Sequence, residues 1–243
     1  MTRPAPHPDF ALTDRVIVFT SVCDEDAHHV DRYLWEIQRL EVMFCVHFDR
    51  CSERTKQRFF WSRNLFGFTE QDDRSIEFTE QHKQSVFDLA ATSGRPWAMA
   101  LDIDETLERD AVSKLLDLPT HADLFDVQWL NLWGDKYSIR SDGAWLQGHR
   151  ANIYNVSGGR KWRFDHPITN GAKLDTHGRD PLILVRYPLV VLHWGAIRPE
   201  WRQLRKARWD RVYGAAVGNN PYGHWRAELD ETGLETIENT YLP

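Results

Sequence analysis

At 243 residues, 42% of them hydrophobic, the chain is long enough to bury a sizeable core as one large domain or two small ones. Thirty Lys and Arg against 36 Asp and Glu leave a formal charge of −6, which excludes an overall electrostatic grip on nucleic acid but leaves room for local basic patches. Three cysteines, Cys23, Cys45 and Cys51, form no Cys-x-x-Cys pair and leave an odd thiol, so neither a zinc ribbon nor a disulfide framework is indicated and a reducing compartment is expected.

The first eight residues are proline-rich, without the apolar stretch of a secretory signal, and no run approaches the length that spans a bilayer. Residues 1–14 therefore read as a flexible lead into a cytoplasmic domain. Arg15 to Ser21 is a continuous apolar, β-branched run, expected to be a first strand covered on both faces. An acidic loop follows, and then Val30, Tyr33, Leu34, Ile37 and Leu40 recur at helical spacing. Val42 to Phe48 reads as the second strand, ending at Asp49, and Glu53 to Trp61 as a helix. A polar loop containing Asp72 and Asp73 is expected next, then a third strand over Ser75–Thr79 and a helix over Gln81–Thr92. The fourth strand is placed at Trp97–Leu101 and a further helix at Arg109–Leu116. Strands alternating with helices in this way predict an α/β layer with a mostly parallel sheet and helices on both faces.

The second half changes character. Phe125–Trp133 alternates with period two, Ala144–Tyr154 is strand-like, and Leu182–His193 reads as a strand interrupted by Pro188. Between them, residues 155–179 show no clean period, the usual signature of binding loops or lids. Glu200–Tyr213 reads as a strongly basic helix, whose plain explanation is a solvated face. The remainder, 214–243, is a polar tail. Eleven tryptophans imply a heavily packed core or an aromatic-lined cleft.

The chain holds two Asp-x-Asp triplets, Asp24–Asp26 and Asp102–Asp104, about the number that chance supplies. Only the second follows a strand-like run and precedes a helix-like one. Alternation would carry Asp102 and Asp104 off the strand on the same side, where two carboxylates can share a hard cation such as Mg²⁺ or Mn²⁺ and so bridge a diphosphate.

In the order of its parts the chain resembles the nucleotide-diphospho-sugar glycosyltransferases of GT-A type, in particular glycosyltransferase family 2, over about residues 15–213. The stretches that carry the resemblance are Asp24-Glu25 after the first strand, Asp49 to Thr55 after the second, Gln81-His82-Lys83-Gln84, and Asp102-Ile103-Asp104. Gln147 to Asn155 and Val191-Leu192-His193-Trp194-Gly195, followed by an Arg/Lys-rich helix, complete it. The resemblance implies a GT-A, Rossmann-like fold in one domain, with a nucleotide-binding half at 15–118 and an acceptor half at 119–213. It implies a metal-dependent hexosyltransferase that uses a nucleoside diphosphate sugar, expected to be uridine-based. The acceptor would be a hydroxyl group of a glycan, a protein or a modified nucleic acid.

The resemblance further implies Asp104, Asp102 and His193 as ligands of Mn²⁺ or Mg²⁺, with Asp102 acting through water or on the ribose. Glu25 and Asp49 would contact base and ribose, Ser21 and Trp194 are further substrate-binding candidates, and Lys83, Arg202 and Lys206 are nominated because cations beside a diphosphate offset the charge that develops on bond cleavage. Each has a plainer explanation: a strand-end histidine satisfied by backbone for His193, a turn-capping aspartate for Asp49, a solvated loop glutamate for Glu25. A general base is expected at Asp165 or Asp180, since the Glu-Asp pair that commonly supplies it is missing; inversion is the expectation and retention stays open. Two other readings stand beside this one. Asp102-Ile103-Asp104-Glu105-Thr106 also resembles the first motif of haloacid dehalogenase-type phosphatases, with Asp102 as nucleophile, although about 100 residues of α/β pattern precede it. The third is a non-catalytic nucleotide- or sugar-binding module using the Trp-rich second half as a platform.

Overall fold

The β-branched run after Arg15 forms β1 (Val16–Val22). Val16, Val18 and Val22 enter one apolar layer and Ile17 and Phe19 the other, which is the two-sided burial a continuous apolar run requires. The computed structural model describes residues 14–72, 80–140, 148–164, 172–174, 182–195, 197–204, 207, 234–236 and 242. After β1 come α1 (Val30–Leu40), β2 (Met43–Asp49), α2 (Glu53–Phe60), β3 (Leu65–Gln71), α3 (Glu80–Ala91), β4 (Trp97–Ala100), β5 (Glu105–Leu107) and α4 (Ala111–Leu116). The second half adds β6 (Leu124–Asn131), β7 (Ser138–Arg140), β8 (Gly148–Asn155), β9 (Trp162–Phe164), β10 (Ala172–Leu174), β11 (Leu184–His193) and β12 (Leu234–Thr236).

Eight strands make one sheet in the order β3-β2-β1-β4-β8-β6-β11-β5. β3, β2, β1 and β4 are mutually parallel, β6 and β11 are parallel to each other, and β8 runs antiparallel to both β4 and β6. β5 closes the far edge antiparallel to the end of β11. Helices cover both faces, as expected. On one, Val30, Tyr33, Ile37 and Leu40 of α1, Phe59 of α2 and Leu115 of α4 pack on β1, β2, β4, β6 and β11. On the other, Val86, Phe87 and Ala90 of α3 join Trp162 and Phe164 of β9 over β1, β4 and Tyr154. Among the described residues no helix is long and apolar enough to cross a membrane.

Two expectations are corrected. The strand between α2 and α3 is β3, not a polar loop there; the expected strand at Ser75–Thr79 lies wholly outside the described residues. β3 is hard to see because it is a half-exposed edge strand with Gly67 at its centre. A Cβ at Gly67 would lie 3.1 Å from Leu89 Cδ2, so the glycine lets α3 approach closely. Secondly, the interval after Asn155 is not wholly irregular, for β9 and β10 pair antiparallel within it. The break expected at Pro188 is present as a register shift between Tyr187 and Val190.

The loop after β1 is tied down by Asp24. Its carboxylate accepts hydrogen bonds from the Ser52 amide and hydroxyl at 3.0 Å and from the Thr55 hydroxyl at 2.7 Å. Ser52 in turn caps α2, its hydroxyl accepting from the Thr55 amide. Asp24 thus has a structural task at the α2 N-terminus, while its neighbour Glu25 is exposed.

Candidate active site

The parallel strands bring their C-terminal ends to one side of the sheet, where ligands of open α/β sheets bind. Ser21 lies near the end of β1, Asp49 ends β2, Asp102 follows β4, Asn131 ends β6 and His193 ends β11. The Asp-x-Asp triplet itself departs from expectation. β4 stops at Ala100, and the chain turns so that the Glu105 amide donates to the Asp102 carbonyl at 2.9 Å. Asp102 and Asp104 therefore sit on a turn, Asp102 half-buried and Asp104 buried, rather than alternating along an extended strand.

The turn brings Asp104 to His193. Asp104 Oδ2 lies 3.1 Å from His193 Nε2, with both side chains buried. His193 Nδ1 lies 3.0 Å from Asn131 Oδ1. An amide oxygen only accepts, so with this oxygen facing it Nδ1 carries the hydrogen, and the neutral ring then turns the lone pair of Nε2 toward a carboxylate oxygen. Two electron-rich atoms at this distance need a proton or a cation between them. Burial, the largest cause, pushes His193 down to about 4; Glu105 and Asp102 act to raise it and Arg150 to lower it, and the balance disfavours the protonated ring at neutral pH. A divalent cation fits. Cis ligands of an octahedral ion bound at 2.0–2.1 Å stand about 3 Å apart, and a ligating histidine characteristically donates its other N–H to an oxygen. Among the described residues no group of three or more His, Cys, Asp or Glu is arranged to hold a metal. Asp104 and His193 thus fit an ion that completes its shell with water and phosphate, as Mg²⁺ commonly does.

Around this pair lies a set of side chains the motif did not reveal. Glu105 is buried; its Oε1 accepts from the Trp129 indole at 2.7 Å and its Oε2 from the Asp102 amide at 2.9 Å. Burial, then Asp102, push its carboxyl above the usual range. Trp129 packs on His193 at 4.5 Å between ring centroids and carries the Arg150 guanidinium 3.5 Å above its ring. Lys83 is buried with its ammonium 5.6 Å from the Phe164 ring; burial lowers its pKa, and Asp102 and Glu105 act against that. The Trp194 amide donates to the Asp104 carbonyl at 2.8 Å, and its indole to Thr106 Oγ1 at 2.7 Å.

The structure therefore gathers Asp102, Asp104, His193, Lys83 and Trp194 from separate stretches. Asp49 is buried with both carboxylate oxygens 2.8 Å from Arg50, and Ser21 pairs in register with His47 on β2. Arg202 is buried, its guanidinium 4.7 Å from the Trp133 ring. Asp165, Asp180 and Lys206 lie outside the described residues. Sequence reasoning missed Glu105, Trp129, Asn131 and Arg150. Their signals were a charge and an amide placed inside apolar strands, and an arginine inside the stretch Gln147–Asn155.

No family model matches the sequence, and no curated protein matches it. Among solved structures, residues 1–349 of S. aureus TarS align over 88% of this chain and 70% of that one, with 10% identity and a TM-score of 0.47. The galactosyltransferase LgtC, in complex with donor and acceptor sugar analogs, aligns over 58% of each chain with 14% identity and a TM-score of 0.35. 4-Diphosphocytidyl-2C-methyl-D-erythritol synthase aligns over 58% of this chain and 75% of that one, with 9% identity and a TM-score of 0.37. The chain spans 41% of the longer TarS structure. At such identities and scores, what this chain does has to be argued from its own residues.

Proposed function

We propose that the chain transfers a sugar from a nucleoside diphosphate sugar to a hydroxyl acceptor, as a single GT-A-like domain over residues 15–213, with Mn²⁺ or Mg²⁺ held by Asp104 and His193. The observation that carries the reading is that His193 Nε2 stands 3.1 Å from Asp104 Oδ2, both side chains buried, where the parallel strands of the sheet end. The bound cation would supply Lewis-acid neutralisation of a departing diphosphate. Asp102, at the same turn, reaches the ion through water or holds the ribose. Arg150 would bring positive charge to the place where negative charge develops on bond cleavage, and Lys83, whose charge burial opposes and Asp102 and Glu105 favour, would add to it. Ser21, Glu25 and Asp49 would meet base and ribose; a carboxylate bound bidentate by arginine keeps two acceptor positions. Trp194 would wall the donor. Arg202 and Lys206 belong to the basic segment beyond it. The acceptor hydroxyl would lose its proton to Asp165 or Asp180, with inversion.

The reading is tested by release of UDP from a uridine diphosphate sugar, the donor class that the family resemblance implies. Turnover is expected with Mn²⁺, to cease in excess chelator and to return when Mn²⁺ is restored. An undiminished rate in chelator would contradict the metal assignment. Phosphomonoester hydrolysis through a phosphoryl adduct on Asp102 would replace the transferase reading with the phosphatase.

A further inference from the structure

The turn that carries Asp102 and Asp104 is closed from both sides by one residue. The backbone amide of Glu105 donates to the Asp102 carbonyl at 2.9 Å, and the Glu105 carboxylate reaches back to accept from the Asp102 amide, also at 2.9 Å. The second oxygen of that carboxylate is held at 2.7 Å by the Trp129 indole. Trp129 sits on β6, packs on the His193 ring at 4.5 Å and carries Arg150 of β8. Glu105 itself stands opposite His193 in the β5–β11 ladder. One buried carboxylate therefore ties the loop bearing the two aspartates to the strands bearing the histidine and the arginine.

A glutamate placed there has a bland use, which is to satisfy a buried indole N–H. That use accounts for one of its oxygens. It does not account for the other, which fixes the backbone of the residue that opens the Asp-x-Asp triplet. Burying a carboxylate costs free energy that an apolar residue in β5 would not incur, so the placement calls for a second task.

We propose that Glu105 is a positioning residue: clamped by Trp129, it sets the Asp102–Asp104 turn in the one conformation that presents Asp104 to His193. The proposal rests on the reading of this pair as a metal site, and its test separates the two. Glu105→Gln keeps the size of the side chain but turns one acceptor into a donor, so either the Asp102 amide or the Trp129 indole loses its partner. Trp129→Phe keeps an aromatic ring, removes the indole hydrogen bond and narrows the surface under His193 and Arg150; it carries the test if Glu105→Gln does not fold.

In the full-length, metal-free protein, amide hydrogen exchange at Asp102 is expected to be at least tenfold faster in Glu105→Gln, while exchange within β1 and β2 is unchanged. Equal exchange at Asp102 overturns the clamp whatever the site binds. Mn²⁺ affinity in the presence of UDP, read by electron paramagnetic resonance, is expected to fall about 10–100-fold in Glu105→Gln and by less in Trp129→Phe, the range usual when groups that orient metal ligands are lost. A glutamate serving only the indole would lower the melting temperature alike in both variants and leave Mn²⁺ affinity untouched, and that outcome overturns the positioning role. Wild-type protein that binds neither Mn²⁺ nor UDP overturns the reading of the site, and the positioning role with it.

Discussion

Replacing Asp104 with alanine is expected to lower metal-dependent donor turnover at least about 1000-fold, a loss of about 4 kcal/mol of transition-state stabilisation, while the fold persists. The carboxylate is buried 3.1 Å from His193 Nε2. On the proposed reading a cation would then keep His193 as its one direct protein ligand, and the phosphates would have to be neutralised by Lys83 and Arg150 alone. His193→Ala should act alike, because it removes the other ligand and leaves Asn131 with nothing to orient. Stability should change little in Asp104→Ala, since the variant also removes a buried charge whose desolvation opposes folding. Turnover and thermal melting measured on the same preparations decide the matter. Full activity in both variants would refute the assignment, and unfolding of both would show the pair to be structural.

The opposite pattern is expected at Glu36. This residue is fully buried on α1, where Arg39 grips it with Nε and Nη2 at 2.8 and 2.7 Å. The same carboxylate accepts from the Leu107 amide at 2.7 Å. Arg39 then donates to the carbonyls of Leu107, Glu108 and Arg109 at 3.0–3.1 Å. The pair is the bracket by which α1 holds β5, and β5 begins directly after Asp104. Glu36→Ala leaves a mostly buried guanidinium without its counter-charge and a buried amide without its acceptor, which costs about 3–5 kcal/mol. In a chain of this size that lowers the melting temperature by about 10 °C. A shift of less than about 2 °C would show that the bracket is not what holds β5.

The contrast explains which parts of this molecule are legible in its sequence. β1, α1, β2, α2 and β4 follow from period and composition because each is buried along a whole face or on both, and apolar residues must repeat to achieve that. β3 escapes for the converse reason, as an edge strand with exposed Phe68 and a glycine at its centre. The site is legible where residue type alone implies chemistry. Asp104 and His193 can be found as carboxylate and imidazole at strand ends, and the turn places them together although the expected extended strand is absent. Glu36 and Glu105 are invisible by the same logic. A glutamate in a helix reads as a solvated charge and one after Asp-x-Asp as more of the same acidity, until partners 71 and 24 residues away are placed against them. Arg150 reads as strand polarity until Trp129 is found beneath it.

The most direct test is a crystal of the full chain grown with UDP and Mn²⁺, examined at a wavelength where manganese scatters anomalously. A single strong anomalous peak is expected within ligand distance of both Asp104 and His193 Nε2, with phosphate oxygens completing the shell. Manganese and phosphates bound elsewhere, with His193 still resting on Asp104, would contradict the metal assignment.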